Sequence, residues 1–116
     1  MARCVCLLTL VVALAGCRSH HIETTVENHT GAAIELLEVD YPSASFGANI
    51  LGADSKYASR IQTRGSGAVK VQYSLGGGRT VQVTGPTLSE GQEGRLVIVL
   101  LPGGKAEFHP ELTPGG

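Results

Sequence analysis

The sequence predicts an all-β domain, a small antiparallel β-sandwich of about seven short strands. Two local patterns and the composition point there. Val69, Val71, Tyr73 and Leu75 alternate with Lys70, Gln72 and Ser74, which is the period-two pattern of a strand with one buried face. Gly76, Gly77 and Gly78 follow, and Val81 and Val83 then alternate with Thr80, Gln82 and Thr84, so the two runs read as a hairpin through a glycine turn. The chain of 116 residues carries 16 glycines and no tryptophan, a composition of many turns and a core built from Val, Leu and Ile.

The remaining elements follow along the chain. Ile22, Thr24 and Val26 share one face and Glu23, Thr25 and Glu27 the other, and Asn28-His29-Thr30-Gly31 ends this strand in a turn. In Ile34 to Tyr41 the apolar residues change parity between Leu36 and Leu37, and a β-bulge there would place Ile34, Leu36, Leu37, Val39 and Tyr41 on one face. A short helix is the rival over the same residues, since Ala32, Ala33 and the Glu and Leu residues favour one, whereas Val39 and the Tyr41-Pro42 stop fit a strand better. Phe46 to Leu51 and Lys56 to Gln62 supply two further short strands. Leu96 to Leu101 is apolar without alternation and stops at Pro102-Gly103, as expected of a central strand covered on both faces. Glu107 to Leu112 forms a last edge segment before a Pro-Gly-Gly tail. Turns at this spacing suit a sandwich, with a barrel of five or six strands as the competitor.

The first residues have a different character. Arg3 gives one positive charge, Cys4 to Leu14 is apolar except for Thr9, and the small residues Ala15 and Gly16 precede Cys17. This is signal-peptide architecture, and the run falls well short of the roughly 20 apolar residues that a spanning helix needs. Leu14, Ala15, Gly16 and Cys17 resemble the lipobox of bacterial lipoproteins at all four positions. The residue types suit the chemistry. A thiolate is a good nucleophile that leaves a stable thioether, and small neighbours give a protease access to the bond before Cys17.

The resemblance implies that residues 1–16 are removed. Cys17 then becomes the N-terminus, carrying a diacylglyceryl group and an N-linked acyl chain such as palmitate. Two or more chains hold a protein on a membrane at about 0.8 kcal/mol per buried CH2, so residues 17–20 would tether the domain without spanning. Arg18 stands where an aspartate tends to retain lipoproteins at the inner membrane, so the resemblance implies the periplasmic face of an outer membrane. The implied organisation is a signal peptide at 1–16, an anchor at 17–20, a sandwich domain at 21–112 and a flexible tail at 113–116. The retained part, roughly 100 residues, can bury a real core. It holds one modified cysteine and no internal disulfide, because Cys4 and Cys6 leave with the signal peptide.

The retained part also resembles short bacterial lipoproteins with immunoglobulin-like or transthyretin-like sandwiches. Its N-x-T-G, DYPSASFG, glycine hairpin and GPTLSEGQEGRLVIVL segments carry that likeness. It implies a fold and transfers no active site.

Residue chemistry points away from catalysis. Nine Lys and Arg stand against ten Asp and Glu, so the chain has no basic field and no nucleic-acid partner is expected. His20, His21, His29 and His109 fall in no metal-ligand spacing, and they read as solvated residues, with His20 and His21 beside the anchor. Ser43 and Ser45 lack the frame of a nucleophile elbow, Glu90 and Glu93 lie in a glycine-rich loop that holds neither carboxylate rigidly, and Gly76 to Thr80 lacks P-loop spacing. No catalytic residue, metal or cofactor is expected beyond the lipid on Cys17. Asn28-His29-Thr30 matches a glycosylation sequon but reads as a turn. The one candidate binding surface is a rim of Tyr41, Phe46 and Tyr57 around the loop from Pro42 to Gly47, since aromatic rings on a loop can stack on a glycan or dock a peptide. The expected role is a lipid-anchored envelope module that presents a non-catalytic domain to an envelope protein or glycan. A small-ligand binder, or an enzyme whose site is assembled from separate loops, is the alternative.

Overall fold

Alternation of buried and exposed side chains runs through most of the chain, and it produces strands. The computed structural model describes residues 20–114. They form eight strands in chain order: β1 (Ile22–Asn28), β2 (Ile34–Tyr41), β3 (Ala44–Leu51), β4 (Lys56–Ile61), β5 (Gly67–Leu75), β6 (Arg79–Leu88), β7 (Glu93–Leu101) and β8 (Lys105–Thr113). One four-stranded sheet has the order β4-β1-β7-β8 and the other β3-β2-β5-β6. No backbone pairing joins the two, so the domain is a sandwich rather than a barrel. All pairs are antiparallel except β1 with β7, which lie parallel with Ile22 beside Gly94 and Asn28 beside Leu100. The parallel pair arises because these two strands are remote in sequence and enter the sheet from the same end.

The inner faces interdigitate. Ile22, Val26, Ile61, Leu96, Ile98 and Leu100 of the first sheet meet Ile34, Leu37, Val39, Val69, Val71, Tyr73 and Leu88 of the second, all buried. Each such side chain contributes about 1.5 to 3 kcal/mol relative to exposure. The two open flanks are closed by aromatic rings. Phe46 on β3 stacks on Tyr57 of β4 with ring centroids 6.0 Å apart. On the opposite flank the ring of Phe108 on β8 fills the space a side chain at Gly85 of β6 would need.

Pro86 in β6 and Pro110 in β8 sit on edge strands, where a missing N–H costs no ladder bond to a further neighbour.

The structure corrects four sequence expectations. The strand from Ile34 is a strand with its register shift between Glu35 and Glu38, but the bulge turns Leu36 outward rather than gathering all five apolar residues on one face. Ile34, Leu37 and Val39 face the core and Tyr41 is half-buried, while Leu36 is 63% exposed at φ 51°. The extra residue of a bulge must go somewhere, and here it takes the left-handed conformation that costs a leucine roughly 1 kcal/mol. Leu36→Asn, which tolerates this conformation, is expected to raise stability by about 0.5 to 1 kcal/mol, read as a higher urea midpoint at unchanged slope.

The second correction concerns β7. It is central in its sheet, but only Leu96, Ile98 and Leu100 are fully buried, while Val97, Val99 and Leu101 are half-buried on the outer face. A two-layer sandwich covers one face of each strand, and β-branched residues on the other face serve strand formation instead.

Third, the segment Pro42 to Gly47 is no long loop. Tyr41 pairs with Ala44 across a two-residue turn, with Ser45, Phe46 and Gly47 already in β3. Proline sets φ at the first turn position, and Ser43 at φ 84° supplies the second, the φ pair of a type II turn. Finally, Glu90 and Glu93 are held rather than free: Glu90 Oε1 accepts from the Gly65 N–H at 2.7 Å, and Glu93 hydrogen-bonds His20, which is accordingly not a purely solvated residue.

Candidate functional site

The strand directions sort the connections onto two ends. At one end lie the start of β1, the Pro42-Ser43 turn, the β4–β5 loop 62–66, the β6–β7 loop 89–92 and the end of β8. At the other lie the connections 29–33, 52–55, 76–78 and 102–104. Each end is tied together differently.

At the far end the tie is Asn28. Its side chain is buried in a region rich in backbone carbonyls, and Nδ2 donates to Ala32 O at 2.8 Å, Leu51 O at 3.0 Å and Gly52 O at 3.0 Å. Its Oδ1 accepts from Thr30 N at 3.1 Å and Thr30 Oγ1 at 2.7 Å, an Asx turn. Thus the Asn28-His29-Thr30 turn expected from sequence is present, and its asparagine also fastens the β1–β2 connection to the β3–β4 connection.

At the near end Thr63 takes that part. Its Oγ1 donates to Ser89 O at 2.7 Å and its carbonyl accepts from Gly91 N at 3.2 Å, so the loops 62–66 and 89–92 are tied together. Beside this joint is a cleft of about 450 Å³ lined by His21, Tyr41, Ser43, Arg60, Gln62 and Arg64. A second depression of about 380 Å³ shares Gln62 and Arg64 and adds His20, Thr63 and Glu90. Arg60 donates through Nε to Glu23 Oε1 at 2.9 Å, a cross-strand pair on the outer face of the sheet.

The sequence-predicted aromatic rim is brought together. Tyr41 and Phe46 have ring centroids 6.3 Å apart and tilted by 45°, and Phe46 continues onto Tyr57. All three rings are half-buried and pack on the core, so they form the flank closure described above with one edge left to solvent. Only Tyr41 also reaches the cleft. The lipidation and recognition residues Leu14, Ala15, Gly16 and Cys17 lie outside the described residues. Ser43 lines the cleft, while Ser45 lies on β3.

A third depression lies along β2 and the edge strand β3, lined among others by Leu36, Glu38 and Phe46. Hydrogen bonding to the Asp40 side chain, and then the Asp40 charge, raise the Glu38 carboxyl above its ordinary pKa. The folded state therefore holds that proton more tightly than the unfolded chain does. The pair favours folding in acid, and its contribution is lost as pH rises through the raised value.

Inside the core, burial raises the Tyr73 phenol, whose hydroxyl finds no partner there, and the Thr24 hydroxyl is likewise unpaired. Among the described residues no group of three His, Cys, Asp or Glu side chains is placed to hold a metal ion.

Sequence reasoning missed the arginine cleft. Arg60, Gln62 and Arg64 share one parity, alternating with buried Ile61 and Thr63, and that was the local signal available; His21, Tyr41 and Ser43 come from distant segments that no local pattern links to them.

The fold and these surfaces define a small all-β sandwich with a polar cleft at the end where β1 begins. No family model matches the chain, and no curated protein matches it. Its fold is similar to that of a protein from Eubacterium rectale solved by NMR, with a TM-score of 0.57 over 84% of this chain and 91% of that one, at 14% sequence identity. At that identity the likeness is one of fold.

Proposed function

We propose that the protein is a lipid-anchored lipoprotein of the cell envelope whose non-catalytic β-sandwich binds or helps assemble an envelope partner, a protein or a glycan. The observation that carries this reading is Leu14-Ala15-Gly16-Cys17 at the end of an apolar run. Two further features support it. The first strand begins at Ile22, five residues after Cys17, so a lipid on that cysteine would hold the near end of the sandwich against a bilayer. The far end, with its glycine turns at 76–78 and 102–104, would then point away from the membrane toward a partner. Arg18 in place of aspartate favours the periplasmic face of an outer membrane.

In this reading the lipid is the only attached group, and no step of bond making or breaking is assigned to the domain. Cys17→Ala is expected to abolish incorporation of labelled palmitate and to leave precursor or soluble protein. Metabolic labelling of both chains checks it, and equal label in the two refutes the anchor.

A further inference from the structure

We infer that the cleft at the start of β1 is a binding site for a phosphate group. Its charge is one-sided: Arg60 and Arg64 line it together with the imidazole of His21, the hydroxyls of Tyr41 and Ser43 and the amide of Gln62, and no carboxylate is among its lining residues. All of these but the half-buried Tyr41 and His21 are well exposed to an incoming ligand. Arg64 makes no ion pair among the described residues. Arg60 spends only its Nε–H on Glu23, so its terminal amino groups take no part in that bond. Two guanidiniums, whose planar donor forks match phosphate oxygens, thus converge with neutral donors on a recess of about 450 Å³, ample for a phosphate ester.

The recess is also held in shape. Arg64 follows Thr63, which is pinned to Ser89 and Gly91, and precedes Gly65, whose N–H is fixed by Glu90. Ser43 sits on a two-residue turn that proline stiffens. Ordering on binding then falls on the exposed Arg60, Gln62 and Arg64 side chains more than on the backbone.

The phosphate has two available sources, a free phosphorylated solute or an anionic lipid headgroup. The lipid source, though not the site itself, rests on the anchoring proposed above, which would hold this end of the domain at the bilayer surface.

The full chain, in detergent micelles, is titrated with inorganic phosphate against chloride at matched ionic strength and followed by amide chemical shifts. Saturable shifts at Ser43, Ala44, Gln62 and Arg64, with none at Gly76 to Gly78, are the expected result. Arg64→Gln should weaken the apparent Kd at least tenfold. Arg79→Gln, the same charge change at the far end, should leave it unaltered. Absence of saturation, or equal weakening by both variants, overturns the site.

The second arm places the full chain, in phosphate-free buffer, in nanodiscs of zwitterionic phosphatidylcholine with or without the anionic phosphatidylglycerol. The same shifts on adding phosphatidylglycerol, lost in Arg64→Gln, assign the lipid source. Their absence there, with phosphate binding intact, assigns the free solute. Failure of Cys17 labelling with phosphate binding intact would remove the anchor and leave the site standing.

Discussion

Replacing Asn28 by alanine is expected to destabilise the domain by about 3 kcal/mol. Asn28 is completely buried, and its amide is the donor for carbonyls of three different residues, Ala32, Leu51 and Gly52. An alanine would return none of those bonds, and the Leu51 carbonyl would be left in the interior. Each orphaned buried group costs about 1 to 3 kcal/mol, and truncation to alanine also empties the volume of an amide. The substitution should lower the urea midpoint with little change in slope, since the strands and their total burial are retained. Asn28→Asp separates the two halves of the side chain. It keeps an acceptor for Thr30 but turns an oxygen toward three carbonyl oxygens, so at neutral pH it is expected to cost at least as much as alanine. A variant as stable as the parent would mean that water replaces the amide at no penalty.

Gly94→Ala is expected to have an effect of similar size, about 3 kcal/mol, for a steric reason. Gly94 lies at φ 131°, and a Cβ there would come within 2.1 Å of the Glu111 carbonyl oxygen. The backbone cannot step aside, because Gly94 N donates to His21 O at 3.2 Å on the β1 side while β8 lies on the other. Gly85→Ala is the comparison. There the added methyl meets the Phe108 ring, a side chain on an open flank that can turn, so the loss should be clearly smaller. Parallel urea titrations of the two variants test the contrast. Equal losses would show that β8 yields as easily as a ring does.

Gly94 also illustrates how far local reading reaches. Within the sequence, GQEGRLVIVL announces an apolar strand after a glycine-rich turn, and that strand exists. Nothing in the segment says that its second glycine, Gly94, will lie between β1 and β8, because β1 is some seventy residues away and pairs in parallel. The hairpin from Val69 to Val83 was legible because both strands and their turn are contiguous, and alternation fixes which side chains meet the core. The bulge at Leu36 and Leu37 was legible as a parity change, while the direction in which the extra residue would turn was not. Asn28 reads as a turn former on composition alone. Its burial depends on the β3–β4 connection folding over it.

The functional surface divides in the same way. Tyr41, Phe46 and Tyr57 were recognisable as a set of aromatics, but packing decided that they would close the flank between β3 and β4 and expose only an edge. Of the arginine cleft, only the alternation of Arg60, Gln62 and Arg64 with buried Ile61 and Thr63 was written locally; its other lining residues were not. By itself the sequence determined the strand periodicity, the turn positions, the all-β class and the Leu14 to Cys17 motif, since each of these is written in neighbouring residues. Tertiary structure alone decided the order of the strands, the burial of Asn28 and the meeting of Arg60 and Arg64 with Tyr41 and Ser43. The physical reason is that a sandwich is assembled from long-range pairings, so Tyr41 and Ser43 reach the arginines that follow one another at the end of β4 only when chain direction brings the β2–β3 turn to the same end.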